Sequence, residues 1–347
     1  MTGEPAFRIV SIGGGTGLSA LLNGLKRYAR PGEGGSDAAG APAVDITAIV
    51  TVSDDGGSSG RLRREFDVLP PGDIRNCMVA LSEDEALLSR LFQYRFHAGR
   101  GLKGHSFGNL FLTALSDVMG DFSDAVKASS EVLKISGRIY PSTEKNVALE
   151  AVLEGGAIVS GETRISRSRK PIQTIRLRPR RRRPHPDALA AIAEADLITL
   201  GPGSLFTSVI PNLLVEGIPQ AIRGSRAIKA YFVNLMWQPG ETTNFTASDH
   251  IRALQKHAGG KLLDYAVINT QPIRASLRKR YAHQDAMPVE NDVDRIQGMG
   301  IRIVGGNFLQ ESAKVRHNPA EVAAVAVRLA AEGRKRREAQ TRSPSGR

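Results

Sequence analysis

The chain has 347 residues and a formal charge of +12, from 47 Lys+Arg against 35 Asp+Glu, which points first to a nucleic-acid or anionic-surface binder. The charge is local, however: residues 164–183 hold ten Lys/Arg and no acid, residues 334–347 hold six and one Glu, and the rest sums to −3. A single cysteine, Cys77, excludes an internal disulfide framework and a thiolate metal cluster, and no 18 apolar residues run together to span a membrane.

Residues 7–12 are a short apolar run, followed by glycines and by residues 18–28 with apolar positions at helical spacing: strand, tight loop, helix. Arg8 is the only basic residue as far as the end of that run, so no signal peptide is expected. Residues 29–43, rich in Gly, Pro, Ala and Asp, read as a floppy surface loop. A second buried-type strand is predicted at 46–52, then a mostly helical stretch from 62 to about 135 with Asp73, Ser82 and Ser123 as caps. Residues 147–183 read as extended structure, with Arg180–Arg183 at a solvated hairpin tip. Further strands are predicted at 196–200, 230–235, 265–269 and 301–304, and a closing helix at 319–332. The rhythm predicts an α/β, doubly wound, mostly parallel sheet. One domain would cover 1–332, with a largely helical insertion at about 62–183 that ends in a short extended or hairpin segment, and 333–347 would form a disordered basic tail.

Four polar loops follow predicted strands, at the edge where open α/β sheets collect ligands. Gly13-Gly14-Gly15-Thr16-Gly17 suits a phosphate, because glycines let the backbone approach and a helix N-terminus offers free N–H groups. Its sixth position is Leu18 instead of Gly or Ala, so the dinucleotide fingerprint is incomplete and a plain tight turn is the alternative. Asp54 and Asp55, in the loop 53–60, suit a ribose hydroxyl or Mg²⁺, or are ordinary loop residues. Gly201-Pro202-Gly203-Ser204 reads as a second anion cradle or as a helix capped by Ser204. The fourth loop runs from Asn234 to residue 243. Arg75, His105 and Asn109 are further pocket candidates, His105 as a phosphate donor or as a structural hydrogen-bonder. Motifs of P-loop ATPases, His-Glu-x-x-His metalloproteases and Gly-x-Ser-x-Gly hydrolases are missing, and no tyrosine has a lysine four residues on.

Taken in order, residues 12–17, 52–60, 70–76, 104–110, 141–143, 201–208, 238–242 and 316–319 resemble the gluconeogenesis factor family of YvcK- and GlmR-like proteins. These are relatives of the CofD 2-phospho-L-lactate transferases. The likeness extends from about residue 7 to 330. It implies a Rossmann-like cytoplasmic protein that binds a UDP-sugar such as UDP-N-acetylglucosamine and supports cell shape and envelope synthesis during gluconeogenic growth. Residue by residue, Asp54 and Asp55 match an acidic pair that would hold Mg²⁺, and Arg316 and Tyr281 match positions that contact the nucleotide sugar. The chain departs from the family at Trp237, where Thr is expected and where a large ring would narrow or stack in the pocket. It departs again at Asn318, where Asp is usual.

The leading expectation is therefore a UDP-sugar-binding protein with no tightly bound organic cofactor. Its expected partners are envelope-synthesis proteins and further copies of the chain in a homo-oligomer, and not nucleic acid. The alternative is a Mg²⁺-dependent transferase of nucleotidyl or phosphoryl-linked groups. A third reading, an adaptor acting through the two basic segments, predicts binding that weakens steeply with salt.

Overall fold

A computed structural model describes residues 5–29, 43–83, 86–312 and 314–342. The loop expected at 29–43 lies almost wholly outside the described residues. Strands in chain order are β1 (Phe7–Gly13), β2 (Val44–Val50), β3 (Arg138–Pro141), β4 (Ala148–Leu153), β5 (Ile158–Ser160), β6 (Ile172–Arg178), β7 (Leu197–Leu200), β8 (Ile228–Phe232), β9 (Tyr265–Asn269), β10 (Arg302–Gly306), β11 (Leu309–Glu311) and β12 (Val315–His317). Seven of them form one parallel sheet in the order β10-β9-β8-β7-β1-β2-β3. The fold is thus the α/β, doubly wound arrangement expected. β1, β2, β7 and β8 are almost continuously buried, which is why they appear as unbroken apolar runs rather than alternating ones.

The chain winds outward from β1 through β2 to β3, then returns to the sheet centre at β7 and winds the other way to β10. The order therefore reverses between β1 and β7, and a crevice opens there at the strands' C-terminal ends. Helix α1 (Gly15–Leu25) follows β1, and α2 (Gly57–Phe66), α3 (Gly72–Leu81), α4 (Ala86–Gln93), α5 (Phe107–Met119) and α6 (Phe122–Val132) fill most of the stretch between β2 and β3. α1 and α3 lie side by side, tied at their far ends by Lys26 Nζ donating to the Ser82 carbonyl at 2.9 Å. A small antiparallel sheet, β5-β4-β6, lies apart from the main sheet, with α7 (Glu162–Arg167) between β5 and β6.

Three features depart from the expectations. Within residues 62–183, β3 is a strand of the main sheet, in the gap between the stretches predicted as helical and as extended, where no element was predicted. Arg180–Arg183 is not a hairpin tip, because residues 179–185 connect β6 to α8 (Pro186–Glu194), with Thr143 Oγ1 donating to the Arg183 carbonyl at 2.7 Å. The basic tail is not disordered where it is described: one helix runs over Pro319–Arg342. Its reason is a buried ion cluster. Asp196 is fully buried at the start of β7, and its carboxylate accepts from Arg334 at 2.6 Å and Arg337 at 2.9 Å. Two of the tail's charges are thus matched inside the protein. No single described helix is long and apolar enough to cross a membrane.

Candidate functional site

The two glycine loops meet at the reversal point. Gly14 caps α1 with no side-chain partner, and Ser204 likewise opens the helical turn Leu205–Val209 without a side-chain cap. An acid from elsewhere takes part of each first turn: the Gly15 N–H donates to Asp73, and the Phe206 and Thr207 N–H groups donate to the buried Glu241. A Cβ built on Gly17 would lie 2.6 Å from the Pro202 carbonyl, and one on Gly203 would lie 3.1 Å from the Gly14 carbonyl. Glycine is needed here because the loops press on each other, not only on a ligand.

A cleft of about 870 Å³ opens beside them, within the size of a small-molecule site. Thr16, Ser19, Asn23 and Lys26, at helical spacing, form one wall from a single face of α1. Pro202–Ser204, Asn234 and Gln238 line the switch point, and Gln238 bridges Asn234 and Ser204 by hydrogen bonds. Four cationic side chains, Lys26, Arg75, Arg95 and Arg316, line the cleft, and no Asp or Glu does so among the described residues. Arg316 is exposed and makes no hydrogen bond or ion pair with a described residue. It is presented by β12, whose Val315 N–H donates to the Tyr281 hydroxyl at 3.0 Å. Tyr281 thus supports the strand instead of lining the cleft.

His105 and Asn109 also lie outside the lining. They buttress α2: Ser58 Oγ and His105 Nδ1 are 3.0 Å apart, and Asn109 Nδ2 donates to Ser59 Oγ at 3.3 Å. Burial, together with Arg61 and Arg95, lowers the His105 pKa, so the ring is neutral at pH 7 and not an anion's counter-charge. Trp237 does not narrow the cleft. Its Nε1 donates to the Phe245 carbonyl at 3.0 Å and its ring packs on the main core. Asn318 Oδ1 accepts from Ala320 N at 3.0 Å and starts the last helix, a duty Asp performs equally well.

The acidic pair divides. Asp55 accepts from the Thr163 N–H and hydroxyl at 3.1 and 3.3 Å, which fastens α7 to the 53–60 loop. Asp54 turns the other way and accepts from Gly56 N at 2.7 Å, with Ser59 and Gly72 beside it. Two acids that sequence reasoning did not place beside it are Asp73 and Glu162. Asp73 was predicted as the cap of its own helix, but its carboxylate lies against Gly14 and accepts the Gly15 N–H. Burial and the Asp54 charge raise Asp73 to about 7; burial and the charges of Asp54, Asp73, Glu241 and Asp55 raise Glu162 to about 9. Among the described residues no three His, Cys, Asp or Glu are arranged to hold a metal ion. One or two of these carboxylates with ligand phosphates is, however, a usual Mg²⁺ environment. Because Glu162 carries its proton in the fold up to about pH 9 but loses it near 4.5 when unfolded, stability falls as pH rises between those values. Glu162→Gln should therefore raise the melting temperature at pH 8 and flatten its decline between pH 5 and 8. A lower melting temperature at pH 8 in thermal scans would contradict this protonation.

The CofD family model, described as 2-phospho-L-lactate transferase, matches residues 9–309. A putative gluconeogenesis factor of Nostoc is 50% identical over 92% of this chain and 67% of its own length. The gluconeogenesis factor of Bacillus subtilis is 43% identical over 93% and 98%. The chain belongs to the gluconeogenesis factor family. A crystal structure from Bacillus halodurans superposes with a TM-score of 0.87 at 43% identity, covering 93% of this chain and 100% of that one. The kinship with CofD transferases suggests a nucleotide or another phosphate-bearing ligand, in line with the cationic cleft.

Proposed function

We propose that this family member binds a UDP-sugar such as UDP-N-acetylglucosamine, as a cytoplasmic regulator linking carbon supply to envelope synthesis and cell shape. The observation that carries the reading is two glycine loops meeting at the switch point of a cleft that Arg316 lines and that no carboxylate lines among the described residues. The diphosphate rests on the N–H groups of Thr16, Gly17 and Ser204, with Arg316 closing over it from β12. Calorimetric titration with UDP-N-acetylglucosamine tests this. Binding is expected, and Arg316→Ala should weaken it at least about tenfold, the worth of one charge-assisted hydrogen bond, with the melting temperature unchanged. No heat from any nucleotide sugar at millimolar concentration would sink the reading.

Asp54 and Asp73 behind the Gly13–Gly17 loop favour a second reading, a transferase of phosphorus-containing groups. These two would hold Mg²⁺ together with ligand phosphates, and the metal would neutralise charge on the transferred group. Pyrophosphate release from UTP and N-acetylglucosamine-1-phosphate, lost in Asp73→Asn, would favour the enzyme over the sensor. No release by the wild type would remove this reading.

A further inference from the structure

The cleft has a second pair of cations, Arg75 and Arg95, on its α3–α4–α5 side. Arg75 leaves α3 away from the glycine loops and packs its Cδ beside Gly108, at the start of α5. Its guanidinium donates to Ser106 Oγ at 2.5 Å and to Asn76 Oδ1 at 2.6 Å, while its buried Nε has no acceptor. Arg95, just past α4, donates to the Gly104 carbonyl at 2.6 Å and is otherwise exposed to the cleft. Neutral oxygens orient both groups, and no described carboxylate lies within ion-pair distance of either. Asp73 and Asp54 act on Arg75 only through space, and Arg95 opposes them: burial and then the Arg95 charge lower the Arg75 pKa. Like charges held close in a partly dry wall cost free energy until an anion joins them.

We propose that Arg75 and Arg95 form a second oxyanion subsite, which takes a phosphate or carboxylate on the non-nucleotide half of the ligand or on an acceptor molecule. The α3–α4–α5 side of the cleft holds this group, and the β1–β7–β12 side holds the diphosphate. The nucleotide half rests on the function proposed above; the subsite stands on the arginines themselves.

Inorganic phosphate titrated into the UDP-saturated protein tests the proposal, with acetate as the carboxylate probe. Phosphate should bind the UDP-loaded wild type. Arg95→Gln and Arg75→Gln should each weaken it at least tenfold and leave UDP affinity within twofold. Arg95 is exposed, so its variant keeps the test sound if Arg75→Gln disturbs packing. Tighter binding of acetate than of phosphate would assign the carboxylate, and the reverse the phosphate, both upholding the subsite. Failure of both probes to bind the UDP-loaded protein, or unchanged binding in Arg95→Gln, would overturn it. If UDP itself does not bind, the nucleotide reading fails alone. Phosphate binding to the free protein that still depends on Arg75 and Arg95 would then uphold the subsite, and its independence of them would overturn it.

Discussion

Replacing Gly17 by alanine should abolish measurable nucleotide binding and lower the melting temperature by roughly 5 °C. The new methyl would stand 2.6 Å from the carbonyl carbon and oxygen of Pro202 and 2.7 Å from Gly203 N. Those are backbone atoms of a neighbouring loop, so no rotamer change relieves the contact. Overpacking of this kind costs about 2 kcal/mol, which for a chain of this size is a few degrees of melting temperature. The effect on binding is larger because both anion-binding loops must shift apart. Ser19→Ala, on the cleft face of α1 but clear of the loop contact, should change affinity much less. Calorimetry and thermal scans on both variants check this. Near-normal affinity in Gly17→Ala would mean that the loops are not jointly the binding surface.

Asp196→Ala should be the most destabilising substitution outside the cleft. The carboxylate is fully buried, accepts the Arg8 N–H at 2.9 Å, and neutralises Arg334 and Arg337. Arg334 also donates to the carbonyls of Pro5 and Ala6, so one cluster joins the first strand, the seventh and the last helix. Removing the acid takes a fully buried counter-charge away from two arginines at once, a loss of about 3–5 kcal/mol and roughly 10 °C. The last helix should also become sensitive to protease beyond Gly333, whose backbone packs on the Asp196 carbonyl. A melting temperature within 2 °C of wild type would show that the cluster does not anchor the helix.

This cluster also marks the limit of what the sequence discloses. The tail's cations read locally as a solvated run, because their partner lies 138 residues earlier for Arg334. Asp73 is similar: its position suits a helix cap, yet the group it serves is the Gly15 N–H, brought near only by the packing of α3 on α1. β3 was missed because a short edge strand, Arg-Ile-Tyr-Pro, buries only Ile139 and Pro141 and carries little pattern. The central strands and both glycine loops were legible for the opposite reason. Strands buried on both faces must be continuously apolar, and a chain turning sharply from strand to helix must use glycine there. Lys26 was readable in principle, at helical spacing from Thr16, Ser19 and Asn23. Arg95 was not, since no periodicity points it to the cleft.

A crystal structure of the chain grown with UDP-N-acetylglucosamine addresses the central claim most directly. The diphosphate should lie against the N–H groups of Thr16, Gly17 and Ser204, with Arg316 on a phosphate oxygen. A nucleotide bound elsewhere, with both glycine loops bare, would contradict it.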